Sequence, residues 1–510
     1  MHARARMDMG PGAGSRERED AKADRATISG DLVRNLAGIV GQRRVSMRRS
    51  EMLPLSSDGL PSYRHMPGLA VFPGSRDEVI EVVRALHKAG VPFVARGAGT
   101  GLSGGALADG IVLVCLNRLT RILEINVEEM FARVEPGVVN ARLTRETTKH
   151  GLHYAPDPSS QTACTLGGNV AENSGGPHCL KYGVTLNHVL ALEVVLPDGE
   201  IVQLGGVDGE RRGYDLLGAF VGSEGCFGIA IGITVRLTRN PESVRTMLAD
   251  FTSIPDAARA VSAIIAAGIL PAALEMMDAP TIRAVESSVY AAGYPADAAA
   301  VLLVELDGEE TSVEHDVARV QRICADAGAR GVRTATSDAE RAKLWQGRKK
   351  AFGAMGRLAP HLVVQDAVVP RTQLAFVLER IHSIAAECGV TVCNVFHAGD
   401  GNLHPNIPYD ANDPGMSQRV ERAMGDIMRL CISVGGSVTG EHGIGIDKLA
   451  YMDRIFSDSS LRAMCGLRDV FDPDRKSNPG KVIPVRSCRE WTAAVAARQP
   501  LEPLEPSSVT

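Results

Sequence analysis

No stretch of this sequence approaches the run of roughly 18 apolar residues that a membrane-spanning helix requires, so no span is expected. The opening residues, MHARARMDMGPGAGSRERED, carry arginines but no apolar core, which a secretory signal peptide needs; a cytoplasmic protein is the expectation. The ten cysteines include no Cys-x-x-Cys pair, so neither a disulfide framework nor a cluster-binding motif is suggested, and any associated iron–sulfur centre would sit on another chain. A basic stripe interleaved with aromatics is also missing. With a net charge of −5 there is no electrostatic case for nucleic acid. No internal repeat is present.

What the chain does have is length and apolar content. Its 510 residues, 45% of them hydrophobic, should divide into two or three domains with real cores. Residues 1–30 are polar and charge-dense and read as a disordered arm, with poor order expected through residue 50. A helix is predicted over 75–88, with Asp77 and Glu78 in its first turn and Gly90 as its stop. A short strand over 91–96 then feeds the run Gly97-Ala98-Gly99-Thr100-Gly101-Leu102-Ser103-Gly104-Gly105.

That run contains Gly-x-Gly-x-x-Gly, the dinucleotide fingerprint. A Rossmann unit, however, needs a helix directly after the glycines to receive the pyrophosphate. Here the next strand, over 111–116, begins too soon for one. Successive backbone N–H groups of small residues still converge on an anion, so a phosphate cradle without the Rossmann fold is the better reading. The stretch 156–176 is dense in Gly, Ser, Thr and Asn and offers little apolar area to offset the cost of ordering it. A large polar cofactor would supply the missing stabilisation. Strands are predicted over 189–197 and 231–237, and beyond Asn240-Pro241 helices alternate with strands in the pattern of an α+β domain with an antiparallel sheet.

The run His397-Ala398-Gly399-Asp400-Gly401-Asn402-Leu403-His404 follows a β-forming segment, and Asp400-Gly401 is a preferred two-residue hairpin turn. Such a turn would set His397 opposite His404, with Cβ atoms roughly 5 Å apart, close enough to share one ion. Further on, a second glycine-rich turn carries Glu441 beside His442. Glu441 could complete a His/His/carboxylate set suited to zinc, iron or manganese, leaving His442 free for proton transfer.

Six motifs now stand in order: the loop 96–105, the stretch 156–176, Gly222-Ser223-Glu224-Gly225, the hairpin 397–404, the turn 440–445 and Asn478-Pro479-Gly480-Lys481. On these the chain resembles the FAD-linked 2-hydroxy-acid dehydrogenases of the vanillyl-alcohol oxidase type, over roughly residues 50–485. Within that family it is most similar to the catalytic subunits of bacterial glycolate oxidases, with D-lactate and D-2-hydroxyglutarate dehydrogenases as cousins. The resemblance implies an α+β fold: a two-part FAD-binding domain of the PCMH type (51–240, completed by a return over 431–485), a substrate domain (241–430) and a polar tail (486–510).

It also implies site roles. FAD, held non-covalently, would lie against Arg96, Gly97, Gly99, Thr100, Gly101, Leu102, Ser103 and Gly104, then against Pro156, Asp157, Thr165, Gly167, Gly168, Asn169, Ala171, Asn173, Gly175 and Gly176, and finally against Glu224, Gly228, Ile229 and Asn478. His397, His404 and Glu441 would bind a divalent metal, zinc first, with manganese or iron as alternatives; His442 would be the base. Arg348 would take the substrate carboxylate through its bidentate fork, with Asn406 as a further substrate contact. The implied reaction is oxidation of a 2-hydroxy acid to the 2-oxo acid, hydride passing from Cα to flavin N5. Partner subunits, one carrying iron–sulfur clusters, would accept the electrons and offer the one route to membrane association; the oligomeric state, a homo-oligomer included, stays open. Where the hydroxyglutarate enzymes place a threonine and a lysine for a second carboxylate, this chain has Phe352 and Val364, so a small monocarboxylate such as glycolate or D-lactate is favoured over a dicarboxylate, with long-chain and aromatic 2-hydroxy acids left open. The rival from another class is a non-catalytic flavin-binding subunit of an electron-transfer complex.

Overall fold

The computed structural model describes residues 28–60, 62–208 and 213–483. Residues 28–50 do not form the poorly ordered arm that composition suggested. Ser29 caps a helix over Gly30–Val40 by accepting from Leu32 N. Leu32, Leu36 and Val40, spaced four apart on one face, are buried with the apolar side of the Arg76–Lys88 helix. Residues 1–27 and the tail 486–510 lie outside the described residues.

The Arg76–Lys88 helix forms as its sequence dictates. Ser75 accepts from Glu78 N, Asp77 and Glu78 oppose the positive end of the helix, and Gly90 leaves it at φ +65°. It covers a four-stranded sheet in which Leu69–Val71, Val112–Cys115 and Phe93–Arg96 run parallel and Val45–Ser46 pairs antiparallel on one edge. Phe93–Arg96 is the other edge, and the chain returns to it from far away. Phe93 N donates to Lys476 O and Asn478 N donates to Phe93 O, which adds residues 476–478 as a parallel partner. No helix separates Arg96 from Val112, as the spacing required.

A second, antiparallel sheet has the order Ile122–Asn126, Phe131–Val134, Ile229–Arg236, Val189–Val195, Ile201–Gly205. Its core includes Phe220, Phe227 and, from the C-terminal return, Phe471, whose ring stacks on Phe227 at 4.7 Å between centroids. The stretch 156–176, poor in apolar area, contains a seven-residue helix, Leu166–Glu172. Thr165 caps it, and Asn173 ends it in the left-handed region at φ +50°.

The third sheet is antiparallel throughout and carries Ser243–Phe251, Ala273–Asp278, Ala300–Gly308, Ala329–Thr334 and Cys393–His397 side by side with shorter strands beyond. Helices Ile254–Ala266, Glu310–Asp326, Leu374–Cys388 and Met416–Ser433 cover one face, and Ala279–Glu286 with Asp338–Met355 cover the other. Because both faces are buried, the central strand reads Ala300-Val301-Leu302-Leu303-Val304 without polar alternation. Among the described residues no helix is long and apolar enough to cross a membrane.

Candidate active site

A cavity of about 690 Å³ opens where the first two sheets face the third. Its glycine-rich wall is made of Arg96, Gly97, Gly99, Thr100, Gly101 and Leu102, then Thr165, Gly167, Gly168, Asn169, Ala171 and Gly175, with Glu224, Gly228 and Ile229. The small residues are required by close packing. A Cβ at Gly97 would stand 2.3 Å from Thr165 Oγ1, and one at Gly167 would stand 2.6 Å from the ring of Pro136. Bare backbone therefore faces the cavity, as an anion cradle requires.

Seven of the expected cofactor residues do not line this cavity. Ser103 and Gly104 turn away from it: Ser103 O accepts from Ile446 N and Asp447 N, and Gly104 N donates to Asp58. Pro156 O accepts from Asn140 Nδ2, and Asn173 Oδ1 accepts from Leu186 N. Gly176 packs on the backbone of Asp157. Asp157 itself faces the third sheet, 3.0 Å from His178 Nδ1 and 3.3 Å from Lys349 Nζ. Asn478 supports the wall from behind, its Nδ2 donating to Gly105 O and Glu224 O.

The opposite wall holds Arg348, His397, His404, Asn406, Glu441 and His442. The hairpin differs from its sequence reading. His397 pairs with Asn402, across a four-residue turn over 398–401, and His404 lies beyond the pair. Gly399 and Gly401 serve close packing: Cβ atoms there would stand 2.4 Å from Leu180 Cδ2 and 2.2 Å from Val369 O. The two imidazoles nevertheless converge, 5.3 Å apart and nearly perpendicular. His397 Nε2 and His404 Nε2 each lie 3.1 Å from Glu441 Oε1.

This geometry fits a divalent ion. Tetrahedral ligands at bond lengths of 2.0–2.1 Å are about 3.3 Å from one another, close to the observed spacing. Both ring nitrogens of buried His404 lack a hydrogen-bond partner, which leaves a lone pair for a metal. The donor set His397, His404 and Glu441 keeps its ligand atoms within 4.8 Å of one another. Burial pushes the Glu441 carboxyl up, but the facing imidazoles outweigh it and hold the group well below the usual carboxylate range, ready to bind a cation.

His442 stacks on His404 at 4.8 Å, with Nε2 3.8 Å from Glu441 Oε1. Burial pushes its imidazole down to about 4, so the ring is neutral at physiological pH and can accept a proton. Arg348 is buried, with Nε and Nη2 on Glu275 Oε2 at 2.6 and 2.5 Å. Asn406 Nδ2 is occupied by the carbonyls of Cys393 and His404. Phe352 and Val364 both line the cavity, and so does Lys350, which sequence reasoning passed over.

Two further acids were missed. Asp366, fully buried, accepts from the Thr439 hydroxyl and from the N–H groups of Gly440, Glu441 and His442, and pairs with Lys448 Nζ at 3.1 Å. It thereby fixes the turn that carries Glu441 and His442. Burial raises its carboxyl, but Lys448, His442 and His404 hold it well below the usual range. Glu275, also fully buried, accepts from Arg348 and meets His397 Nδ1 at 2.7 Å. Glu275 stands in the strand segment Ala273-Leu274-Glu275-Met276-Met277 and Asp366 in the short link between the strands His361–Val364 and Ala367–Val368, both stretches largely apolar. A buried acid must be paired, so that pattern was the available signal.

Comparison with known proteins agrees with this architecture. Residues 67–205 match the family described as FAD binding domain, and residues 240–482 match FAD linked oxidases, C-terminal domain. The glycolate oxidase subunit GlcD of Escherichia coli (strain K12) is 48% identical over 446 residues, covering 87% of this chain and 89% of the relative. A D-lactate dehydrogenase of Anaerostipes hadrus is 33% identical over 425 residues, covering 82% of this chain and 89% of the relative. Among solved structures, p-cresol methylhydroxylase with substrate bound superposes with a TM-score of 0.74 at 15% identity, over 88% of this chain and 96% of that one. The fold is thus the PCMH-type FAD-binding fold joined to an α+β domain.

Proposed function

This chain belongs to the FAD-linked oxidases, flavin-dependent oxidoreductases, and on that premise we propose that it oxidises a small 2-hydroxy acid, of the glycolate or D-lactate type, to the 2-oxo acid. The observation that carries the reading is one cavity with bare backbone on one wall and, on the other, buried Arg348, His397 and His404 with partly buried Glu441 and His442. When bound, non-covalent FAD supplies the acceptor for the Cα hydride, and a divalent ion, zinc before manganese or iron, supplies Lewis acidity at the substrate hydroxyl.

The protein's part is binding, orientation and proton transfer. Arg348 binds the substrate carboxylate, and Asn406 lines the same end of the cavity. His397, His404 and Glu441 hold the ion. His442 Nε2, on the Glu441 side of the ring, takes the hydroxyl proton, and its neutrality at physiological pH suits that role. Asp366 holds the loop that presents His442. Phe352 and Val364 leave no hydroxyl or ammonium group at the places where relatives with a dicarboxylate substrate grip the second carboxylate, and this favours a monocarboxylate.

The deciding experiment is anaerobic addition of a panel of 2-hydroxy acids to the yellow protein. Bleaching by a small monocarboxylate supports the reading, and bleaching by none of them favours a non-catalytic flavin-binding subunit. Lys350 at the cavity favours one second reading, a substrate with another anionic group; if 2-hydroxyglutarate bleaches fastest and Lys350→Met removes that preference, the second reading wins. Electrons then pass to partner subunits, one with iron–sulfur clusters, in a cytoplasmic assembly; the GlcD relative is itself described as a subunit.

A further inference from the structure

Glu275 lies opposite His397 in the antiparallel pair of Ala273–Asp278 with Cys393–His397, so sheet register alone brings their side chains to one face. The Asp338–Met355 helix covers that face and lowers Arg348 onto the same carboxylate. The two oxygens are divided between the two partners. Oε1 meets His397 Nδ1 at 2.7 Å, and Oε2 takes Arg348 Nε at 2.6 Å and Nη2 at 2.5 Å. Among the described residues these are the hydrogen bonds that the two oxygens make, and the carboxylate is fully buried.

We infer that Glu275 is a positioning residue that couples the two halves of the active site, fixing His397 as the tautomer whose Nε2 faces Glu441 and fixing Arg348 so that its Nη1 end, not its Nε–Nη2 edge, meets the substrate carboxylate. The inference rests on the proposed function, since it assigns partners to the same ion and substrate. A carboxyl oxygen 2.7 Å from His397 Nδ1 accepts the ring N–H there and leaves Nε2 as the ligand atom; a carboxylate is the usual second partner of a metal-bound imidazole. The same acid occupies the side-on edge of the Arg348 fork, so a second carboxylate finds only the other end free.

A single acid serving both partners makes a specific prediction for its amide. In Glu275→Gln the amide oxygen can satisfy Arg348 or His397 Nδ1–H, and the amide N–H₂ then faces the other. Either the arginine is repelled, or His397 is driven to the tautomer with Nε2 protonated. Zinc and oxalate, a non-oxidisable dianion that combines the carboxylate and the metal-binding oxygens of the substrate, are suitable probes on the FAD-loaded protein. The dissociation constant for zinc, measured by competition with a chromophoric chelator, should rise roughly 10–100-fold, and that for oxalate should rise with it.

Glu305→Gln is the control. Glu305 is a buried acid on the same sheet face, paired with Arg341 and Trp345 of the same helix, but it lies outside the cavity wall. It should leave both constants within twofold. A soluble, yellow Glu275→Gln protein with both constants unchanged overturns the inference. If the variant does not fold, a structure of the unaltered protein with zinc and oxalate decides: oxalate at Arg348 Nη1 supports the inference, and oxalate bridging Nε and Nη2 with Glu275 displaced overturns it. Should the unaltered protein bind no zinc and respond to no hydroxy acid, it is the proposed function that fails, a result recognisable before any variant is made.

Discussion

From Gly97 to Leu102 and from Thr165 to Gly175 the chain shows the cavity mostly backbone, while the facing wall shows five ionisable side chains, Arg348, His397 and His404 buried and Glu441 and His442 partly buried. On the first wall Gly97, Gly167 and Gly175 have no room for a Cβ; on the second Arg348 and His397 share the buried acid Glu275, and Glu441 faces two imidazoles. Substitutions on the two walls should therefore fail in different ways, and the proposed division of labour between them can be tested on that difference.

The broadest effect is expected from Glu441→Gln, which should cost both the ion and the rate. An amide in place of the carboxylate removes the anion that both imidazoles face, so the bound ion should be lost and flavin reduction should slow by on the order of 10³, several kcal/mol at about 1.4 kcal/mol per tenfold. Elemental analysis with anaerobic stopped-flow checks both, and FAD should stay bound. His442→Ala should slow reduction by roughly 10²–10⁴, the usual worth of a general base, with metal and FAD both retained. Reduction at an unaltered rate would remove His442 from the mechanism.

Gly97→Ala tests the other wall. The new methyl meets Thr165 Oγ1 and forces it aside, an overpacking cost of about 1–3 kcal/mol. FAD should bind roughly 10–100-fold more weakly by fluorescence titration, with zinc affinity unchanged. Were zinc lost as well, the two walls could not be treated as separate.

The smallest effect concerns what holds the walls together. His178 stands between Asp157 Oδ1 at 3.0 Å and Glu305 Oε1 at 3.2 Å, so it joins the two walls' domains. Burial lowers its imidazole, but the two acids outweigh burial and raise it to about 10. The folded value is above the ordinary unfolded one of about 6.5. Its contribution to stability is therefore fully present below about pH 6.5 and declines as pH rises, until it is lost above about 10. Thermal midpoints of the unaltered protein should fall across that window by about 2–4 °C more than those of His178→Gln; parallel profiles would show that the pair contributes nothing.

The same contrast explains what could be read in advance. Clusters of glycine such as Gly97, Gly99 and Gly101 are costly to order and stand out in a sequence, and paired histidines such as His397 and His404 stand out as ligands. Glu275 and Asp366 do not, because each is an acid in a largely apolar stretch and the partners that give it meaning are far along the chain. The hairpin register was misjudged because Asp400-Gly401 was read as the turn, when packing against Leu180 and Val369 sets a longer one. Asp157 opens a stretch whose composition suits a cofactor, and no local signal marks its contacts with His178 and Lys349. Residues 28–50 were misread because charged neighbours diluted the Leu32, Leu36, Val40 repeat in an average over composition.

The return of residues 476–478 to the edge of the Phe93–Arg96 strand bears on the order of events during synthesis. That strand emerges from the ribosome well before its partner, with the entire third sheet translated between them. Until then the first sheet has an open edge, able to pair with the wrong chain. Asn478, which braces Gly105 and Glu224, arrives in the same late segment. A nascent chain thus cannot complete the glycine-rich wall piecemeal, and an interrupted one should stay colourless and be drawn toward aggregation or degradation rather than circulate as a half-built flavoprotein that leaks electrons to oxygen.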